Sequence, residues 1–472
     1  MNDNSSKILL AASLVLCLIT FGLALFQPAY LGNYFYLGAL IFLEVMLVAL
    51  WGFAKRFFPV LIAVFLWAGI DFPLSEMWTS RRWIVLAIAA AAGFVLYLRS
   101  RRYSFSAFHT TALLCVFSAV ASALVSSHPK TAVLKALSLF LLFAYAATGA
   151  RVAVAGREGK FFSGVLFACE VLVWGAALSY FVFRHAVFGN PNSLGAIMGV
   201  VVLPVLLWGI FISQHPSLYR RRTFAFLVCL MLLLTSYSRA GIAAAIISCG
   251  LLCVCLGRYR LLLKGCGLTL ATALLVATFF PMLSNQSGSL LQFVYKGHQE
   301  NGALASRFSV WDRTLSSIRQ RPWFGSGFGT VATNYDLTPA RTVNFASGAA
   351  SQEHGNSYLA ILEWVGLLGI IPFATLVLIV MVRSAQVLLW LRRSRDPFSP
   401  AVPIAVVMIA GLIHAGFEDW LFAVGYYLCI FFWSMAFVLI DVLPQTVPAY
   451  TWSSPRFAPS TPGNLDLALP GR

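Results

Sequence analysis

The sequence predicts an all-α polytopic membrane protein, with about 12–14 transmembrane helices and one long, partly helical loop on the outer face. Three observations predict this class. The chain has 472 residues, of which 60% are hydrophobic and only 10% charged, and its mean hydropathy is +0.83. Soluble domains carry about 25% charged residues, so a soluble enzyme is excluded. Apolar runs of about 20 residues, the length a helix needs to cross a bilayer, recur from end to end. Residues 285–355 are the one long polar interruption among them.

Taken in order, roughly fourteen runs read as spans. They lie at 8–27, 34–54, 57–71, 83–98, 107–125, 132–150, 161–183, 193–213, 223–237, 240–256, 261–284, 356–382, 401–416 and 420–440. The first run follows Lys7 without a small-residue cleavage site, so it reads as an uncleaved span rather than a signal peptide. The net charge is +17, but the basic residues are scattered through short turns. That pattern fits membrane topology and contact with anionic lipid, not nucleic-acid binding.

Loop charges set the expected orientation. Lys55-Arg56, Arg99 with Arg101-Arg102, Arg151 with Arg157 and Lys160, Arg220-Arg221-Arg222, Arg258 with Arg260, and Arg392-Arg393 with Arg395 fall in alternate loops. The positive-inside rule makes these loops cytoplasmic. Arg81-Arg82 is the exception, falling on the outer side. Both termini are then cytoplasmic. The chain divides into N-terminal transmembrane helices (1–184), a core (185–440) that includes loop 285–355, and a flexible cytoplasmic tail (441–472) rich in Pro, Ser and Thr. The nine cysteines lie in apolar runs with no CxxC spacing, which suggests neither a disulfide framework nor a zinc site.

The outer loop contains one amphipathic helix. Stepping by the helical angle from Arg307 puts Phe308, Val310, Trp311, Leu315 and Ile318 on one arc. Ser309, Asp312, Arg313, Ser316, Arg319 and Gln320 fall opposite. Arg307 sits inside the apolar arc in the first turn, where helices favour negative charge. It either faces an anion or snorkels out of the helix end.

The same orientation gathers other polar features on the outer face. Ser236-Tyr237-Ser238-Arg239-Ala240-Gly241 joins two spans by almost nothing, which puts Arg239 at the membrane interface. It reads as an anion ligand or a snorkelling arginine. Asn190-Pro191-Asn192 precedes a span, with Asn192 as a candidate cap. Gly325, Gly327 and Gly329 make a Gly-x-Gly-x-Gly run whose amides can cradle a phosphate or simply bend the chain. Glu353-His354-Gly355-Asn356 stands at the mouth of the next span, with His354 as a candidate general base. Glu363, two turns further in, needs a partner. His414 and Glu418 are four apart on one expected helical face, able to pair with each other or with a loop arginine. No third ligand gives them metal-site spacing.

These residues resemble the O-antigen ligase and Wzy-type polysaccharide polymerase family of bacterial inner-membrane glycosyltransferases. The matching pieces are Ser238-Arg239 with Gly241, Arg307 with Trp311 and the Pro322 to Gly329 run, and the His354/Asn356 segment. Asn356 is followed by nine residues, Gly366, two residues and Gly369, as in the family pattern. Gly355 departs from it by separating His354 from Asn356. The resemblance is strongest over residues 185–440. It implies a helical, GT-C-like membrane glycosyltransferase with its site facing the periplasm. It also implies a donor glycan on undecaprenyl diphosphate, and either lipid A core or a second lipid-linked glycan as acceptor. The implied reaction inverts the anomeric centre and uses neither metal nor cofactor.

On that reading Arg239 and Arg307 bind the diphosphate, since planar guanidinium groups match phosphate oxygens and stabilise developing charge. Arg313, Arg319 and Arg321 are weaker candidates for that role, and Asn356 and His414 for substrate contact. His354 and Glu418 are the candidates for activating the acceptor hydroxyl. Trp311, Trp323 and Phe324 either pack on sugar or anchor the loop at the interface. A transporter or flippase of lipid-linked glycans is the alternative. It would carry charge in mid-span, whereas the charge here gathers at one face.

Overall fold

A computed structural model describes residues 3–71, 74–99, 105–185, 187–188, 190–284, 305–330 and 354–443. The described residues are helical, with no strand among them. Fourteen helical rods match the fourteen expected runs one for one. The first four are α1 (Asp3–Phe26), α2 (Tyr34–Trp51), α3 (Phe53–Ala68) and α4 (Ser75–Arg99). Next come α5 (Ala107–Leu124), α6 (Pro129–Val154), α7 (Glu158–Val182) and α8 (Pro191–Phe211). Then follow α9 (Pro216–Thr235), α10 (Arg239–Cys255) and α11 (Tyr259–Ser284). The loop helix is α12 (Ala305–Gln320), and α13 (Ser357–Ser394), α14 (Ala401–Ala415) and α15 (Tyr427–Val442) complete the bundle. Among the described residues seven helices are long and apolar enough to cross a membrane, and shorter apolar ones include α10, α14 and α15. This is a multi-pass membrane protein.

Several boundaries differ from expectation. Helix α9 starts at Pro216, not near 223, and α3 at Phe53, not 57, so Arg220, Arg221, Arg222, Lys55 and Arg56 lie inside helices rather than in loops. Helix α4 starts at Ser75, not near 83, so Arg81 and Arg82 lie inside the helix rather than in an outer loop. Helix α6 runs on to Val154 through a π-helical turn at Ala146–Ala150. Arg151 is therefore buried inside the bundle, where its Nε and Nη2 both meet Asp441 at 2.6 Å. Helix α13 continues to Ser394 because Arg383, Arg392 and Arg393 all point outward and cost nothing to carry. Helix α15 starts at Tyr427, because residues 416–426 fold into a turn-rich segment instead of helix.

The centre is built from α8, α14 and α15, whose side chains are almost wholly buried. Helix α8 starts at Pro191, and Asn190 is its cap, accepting from Asn192 N at 2.9 Å. Asn192 is therefore inside the helix and not its cap. Proline without an N–H suits the first helical position, and the residue before it is pushed into extended backbone. Helices α8 and α10 touch backbone to backbone. A Cβ on Gly195 would strike Ser238, and one on Gly199 would strike the Gly241 carbonyl. This small-residue crossing fixes the Ser238–Arg239 corner against the start of α8.

Candidate active site

The external segment is fastened to the bundle by a broken helix. Helix α13 is interrupted at Gly366, whose φ of 68° and ψ of −175° are open in practice to glycine alone. The break leaves carbonyls at 363 and 364, and amides at 367 and 368, without helical partners. Residues 322–327 supply them. Ser326 N donates to Glu363 O at 2.9 Å and Gly327 N to Trp364 O at 3.1 Å. In return, Leu367 N donates to Pro322 O at 2.7 Å and Leu368 N to Trp323 O at 3.2 Å. Helix α5 adds Ser122 Oγ, which donates to Phe324 O at 2.9 Å and also to Trp364 O. Lys135 of α6 donates to Gly329 O.

The glycine run therefore has a packing role. Gly325, Gly327 and Gly329 all take positive φ. The amides of Gly325, Ser326, Gly327 and Thr330 already donate to backbone carbonyls. The phosphate-cradle reading does not hold for those amides.

Helix α12 forms as expected but docks on a rotated face. Its deepest residues are Thr314 and Ser317, while Phe308 and Leu315 are exposed. Small hydroxyl side chains let α12 approach α13 closely, and Thr314 returns its hydroxyl to Val310 O at 3.0 Å. Phe308 and Leu315 are left exposed, as are Trp323 and Phe324 just beyond the helix, apolar side chains of the kind found at membrane interfaces.

Arg307 opens this docked face and turns inward. Its Nη2 lies 2.5 Å from Glu418 Oε1, in the segment between α14 and α15. Both side chains are mostly covered. Arg239, the first residue of α10 and half-buried, lies within reach of the positive charge on Arg307. The structure thus brings Arg239, Arg307 and Glu418 to one end of the bundle.

A second cluster stands beside them. His354 is 1% exposed and lies between two carboxylates. Its Nε2 is 2.9 Å from Glu363 Oε2, and its Nδ1 is 3.2 Å from Asp419 Oδ2. The His354 backbone N also donates to Asp419 Oδ2, at 2.9 Å. The contact to Glu363 is an ion pair whose geometry falls short of a hydrogen bond. Trp364 packs edge-on against the ring, with centroids 5.5 Å apart. Burial disfavours the imidazolium, but hydrogen bonding and the charges of Asp419 and Glu363 outweigh it, so the His354 pKa is pushed up to about 9. For Asp419, burial opposes the charged form, yet its hydrogen bond and ion pair with His354 hold it below the usual carboxylate range. His354 is thus the partner Glu363 needed. Among the described residues no group of three or more His, Cys, Asp or Glu side chains stands in a metal-binding arrangement.

The remaining candidates have local duties. Arg313 is exposed and returns its Nε to Ser309 O at 3.2 Å; Arg319 is exposed as well. Arg321 ties the loop to Ser127 Oγ at 3.1 Å. Asn356 caps α13, its Oδ1 accepting from Tyr358 N and Leu359 N at 2.9 and 3.2 Å. His414 is buried and accepts from Trp420 Nε1 at 2.8 Å. It shares no helical face with Glu418, because α14 ends at Ala415. Ser357 Oγ donates to Glu418 O at 2.6 Å, fixing the carboxylate's backbone to the start of α13. Glu353 lies outside the described residues.

Residues 224–374 match the family model described as O-antigen ligase, Wzy_C. Over that stretch, about a third of the chain, the protein is similar to the O-antigen ligase family. Arg239, Arg307, His354 and Glu363 fall within the matched stretch, whereas Glu418 and Asp419 lie beyond it. No curated protein matches the chain. The matched stretch begins within α9 and ends within α13, so it spans the external segment and the helices that flank it. Sequence reasoning passed over Asp419 as a residue merely following Glu418. The signal for it was the second carboxylate required to keep His354 charged beside buried Glu363.

Proposed function

We propose that the chain is a glycosyltransferase of the bacterial inner membrane, working at the periplasmic face. It takes an oligosaccharide from undecaprenyl diphosphate and moves it to an acceptor hydroxyl, as an O-antigen ligase or as a polymerase of O-antigen or exopolysaccharide. The observation that carries this reading is the meeting of Arg307 and Glu418, 2.5 Å apart, within reach of Arg239. Two guanidinium groups suit a diphosphate leaving group, and a carboxylate beside them suits a base.

The acceptor oxygen bonds to the anomeric carbon from the face opposite the diphosphate. The carbon–oxygen bond to phosphate breaks, and its electron pair leaves on the diphosphate. The acceptor proton passes to Glu418. The configuration inverts, and the guanidinium groups of Arg239 and Arg307 neutralise the leaving charge without calling on a metal. Before donor binds, Arg307 covers Glu418; the diphosphate draws Arg307 away and uncovers the base. Between the two candidate bases, the geometry favours Glu418. A His354 pKa of about 9 leaves the ring protonated at neutral pH, with both nitrogens beside carboxylates. His354 is read as a positioning residue that ties α13 to the segment bearing Glu418. Arg321 and Asn356 hold the loop and the helix start, His414 buttresses Trp420, and Arg313 faces away.

The test is reconstitution of the purified chain with undecaprenyl-diphosphate-linked repeats, with and without lipid A core. Chain growth without core identifies a polymerase, and glycan on core identifies a ligase. Absence of both products, with the chain folded and donor supplied, overturns the reading.

A further inference from the structure

Arg81 and Arg82 break the charge pattern of the loops, and the transferase reading leaves them unused. They lie about 10 Å into α4, at 1.5 Å per residue from Ser75. Arg82 is 7% exposed. Its Nη1 donates to Gly425 O at 2.8 Å, and its Nε has no hydrogen-bond partner. Arg81 Nη1 is likewise buried without one. Among the described residues neither arginine meets a carboxylate. Their other neighbours are rings: Trp83 and Phe65 lie 5.1 and 5.9 Å from the Arg82 guanidinium, and Phe35 and Phe42 lie 5.7 and 6.0 Å from that of Arg81.

Two adjacent covered cations at membrane depth are costly unless an anion answers them. Ring faces and one carbonyl are weak compensation for two full charges. The position also has an orientation. Gly425 ends the segment that carries Glu418 and Asp419, and the charges of both reach Tyr426. The arginine pair therefore lies on the same end of the bundle as the candidate active site, on the side of the N-terminal helices.

We propose that Arg81 and Arg82 form a second anion site, which holds the phosphate of an anionic membrane lipid against the outer part of α4. The apolar walls from exposed Phe35 and partly covered Phe42 suit the lipid chain below the phosphate, and the depth suits a headgroup drawn to the interface. The site lies outside residues 224–374, so it stands or falls separately from the transferase reading.

The test uses the full chain in detergent, with Arg82→Met and Arg81→Met as variants. Methionine keeps the bulk and removes the charge. Native mass spectrometry follows titration with phosphatidylglycerol, undecaprenyl phosphate and zwitterionic phosphatidylcholine. The wild type is expected to retain the anionic lipids, and each variant to bind them about tenfold more weakly, with phosphatidylcholine weak throughout. Preference for phosphatidylglycerol identifies bulk lipid as the source, and preference for undecaprenyl phosphate identifies the glycan carrier; either supports the site. A second readout is the melting temperature of delipidated protein. An unpaired charge replaced by methionine leaves it unchanged or raises it. A lowered melting temperature in Arg82→Met would show that Arg82 merely props Gly425, and would overturn the proposal. Equal lipid retention by the wild type and both variants, or binding of phosphatidylcholine as tight as phosphatidylglycerol, would overturn it too.

Discussion

Replacing His354 by glutamine should remove a pH-dependent part of the chain's stability. In the folded protein the ring titrates at about 9, against an ordinary value of 6.5. That rise corresponds to roughly 3 kcal/mol favouring the imidazolium in the folded state. The sign follows from proton uptake. Between these two values the folded chain holds a proton that the unfolded chain has released. The contribution is therefore whole below pH 6.5, shrinks as pH rises, and is gone above about 9. Glutamine can donate to one carboxylate but carries no charge, so buried Glu363 and half-buried Asp419 are left facing a neutral group. The assay is the melting temperature of wild type and His354→Gln at pH 6 to 10 in one detergent. The gap between the two curves should be widest at pH 6 and narrow steadily towards pH 9. A gap independent of pH would refute the buried imidazolium.

Other outcomes follow from named contacts. Arg307→Ala should lower transfer by about 100-fold to 1,000-fold, the usual loss when one donor to developing charge is removed; Arg313→Ala, on the exposed side, should leave the rate within twofold. Gly366→Ala puts a Cβ against the Trp323 carbonyl at a backbone position of φ 68°. It should cost at least about 2 kcal/mol, read as a lower melting temperature and faster proteolysis within residues 322–330. Asp441→Asn leaves the buried Arg151 without its carboxylate partner, at a cost of about 3 kcal/mol. The double variant Arg151→Met, Asp441→Leu should recover most of that loss in a melting experiment.

The helices were legible because membrane spans advertise themselves by length and apolarity alone. Every rod could be placed, but the starts of α4, α9 and α15 and the end of α13 were missed by about two helical turns or more. Residues 420–426 are as apolar as a span, yet they fold into turns: Leu421 N donates to Ser357 Oγ, and the preceding Asp419 is held by His354 N. Arg239, Arg307, His354 and Glu418 stood out as charges in unusual places, and the structure brings them to one end. What pairs with what was not legible. The partner of Glu363 depends on Gly355 and Gly366 bending the chain, and pattern reading assigns such glycines only to flexibility. The face on which α12 docks was misplaced for a related reason: apolarity locates the side that shuns water, whereas close helix contact here selects Thr314 and Ser317.

The exchange of backbone hydrogen bonds between residues 322–327 and the interrupted start of α13 governs how this protein can be cut and rejoined. A loop grafted from another protein that matches the same family model would arrive without the carbonyls and amides that the host helix presents at 363–368. Chimeras joined between 330 and 357 should therefore misassemble. Those that transplant 305–370 as one block keep both halves of the join, and should accept the external segment of a relative whole.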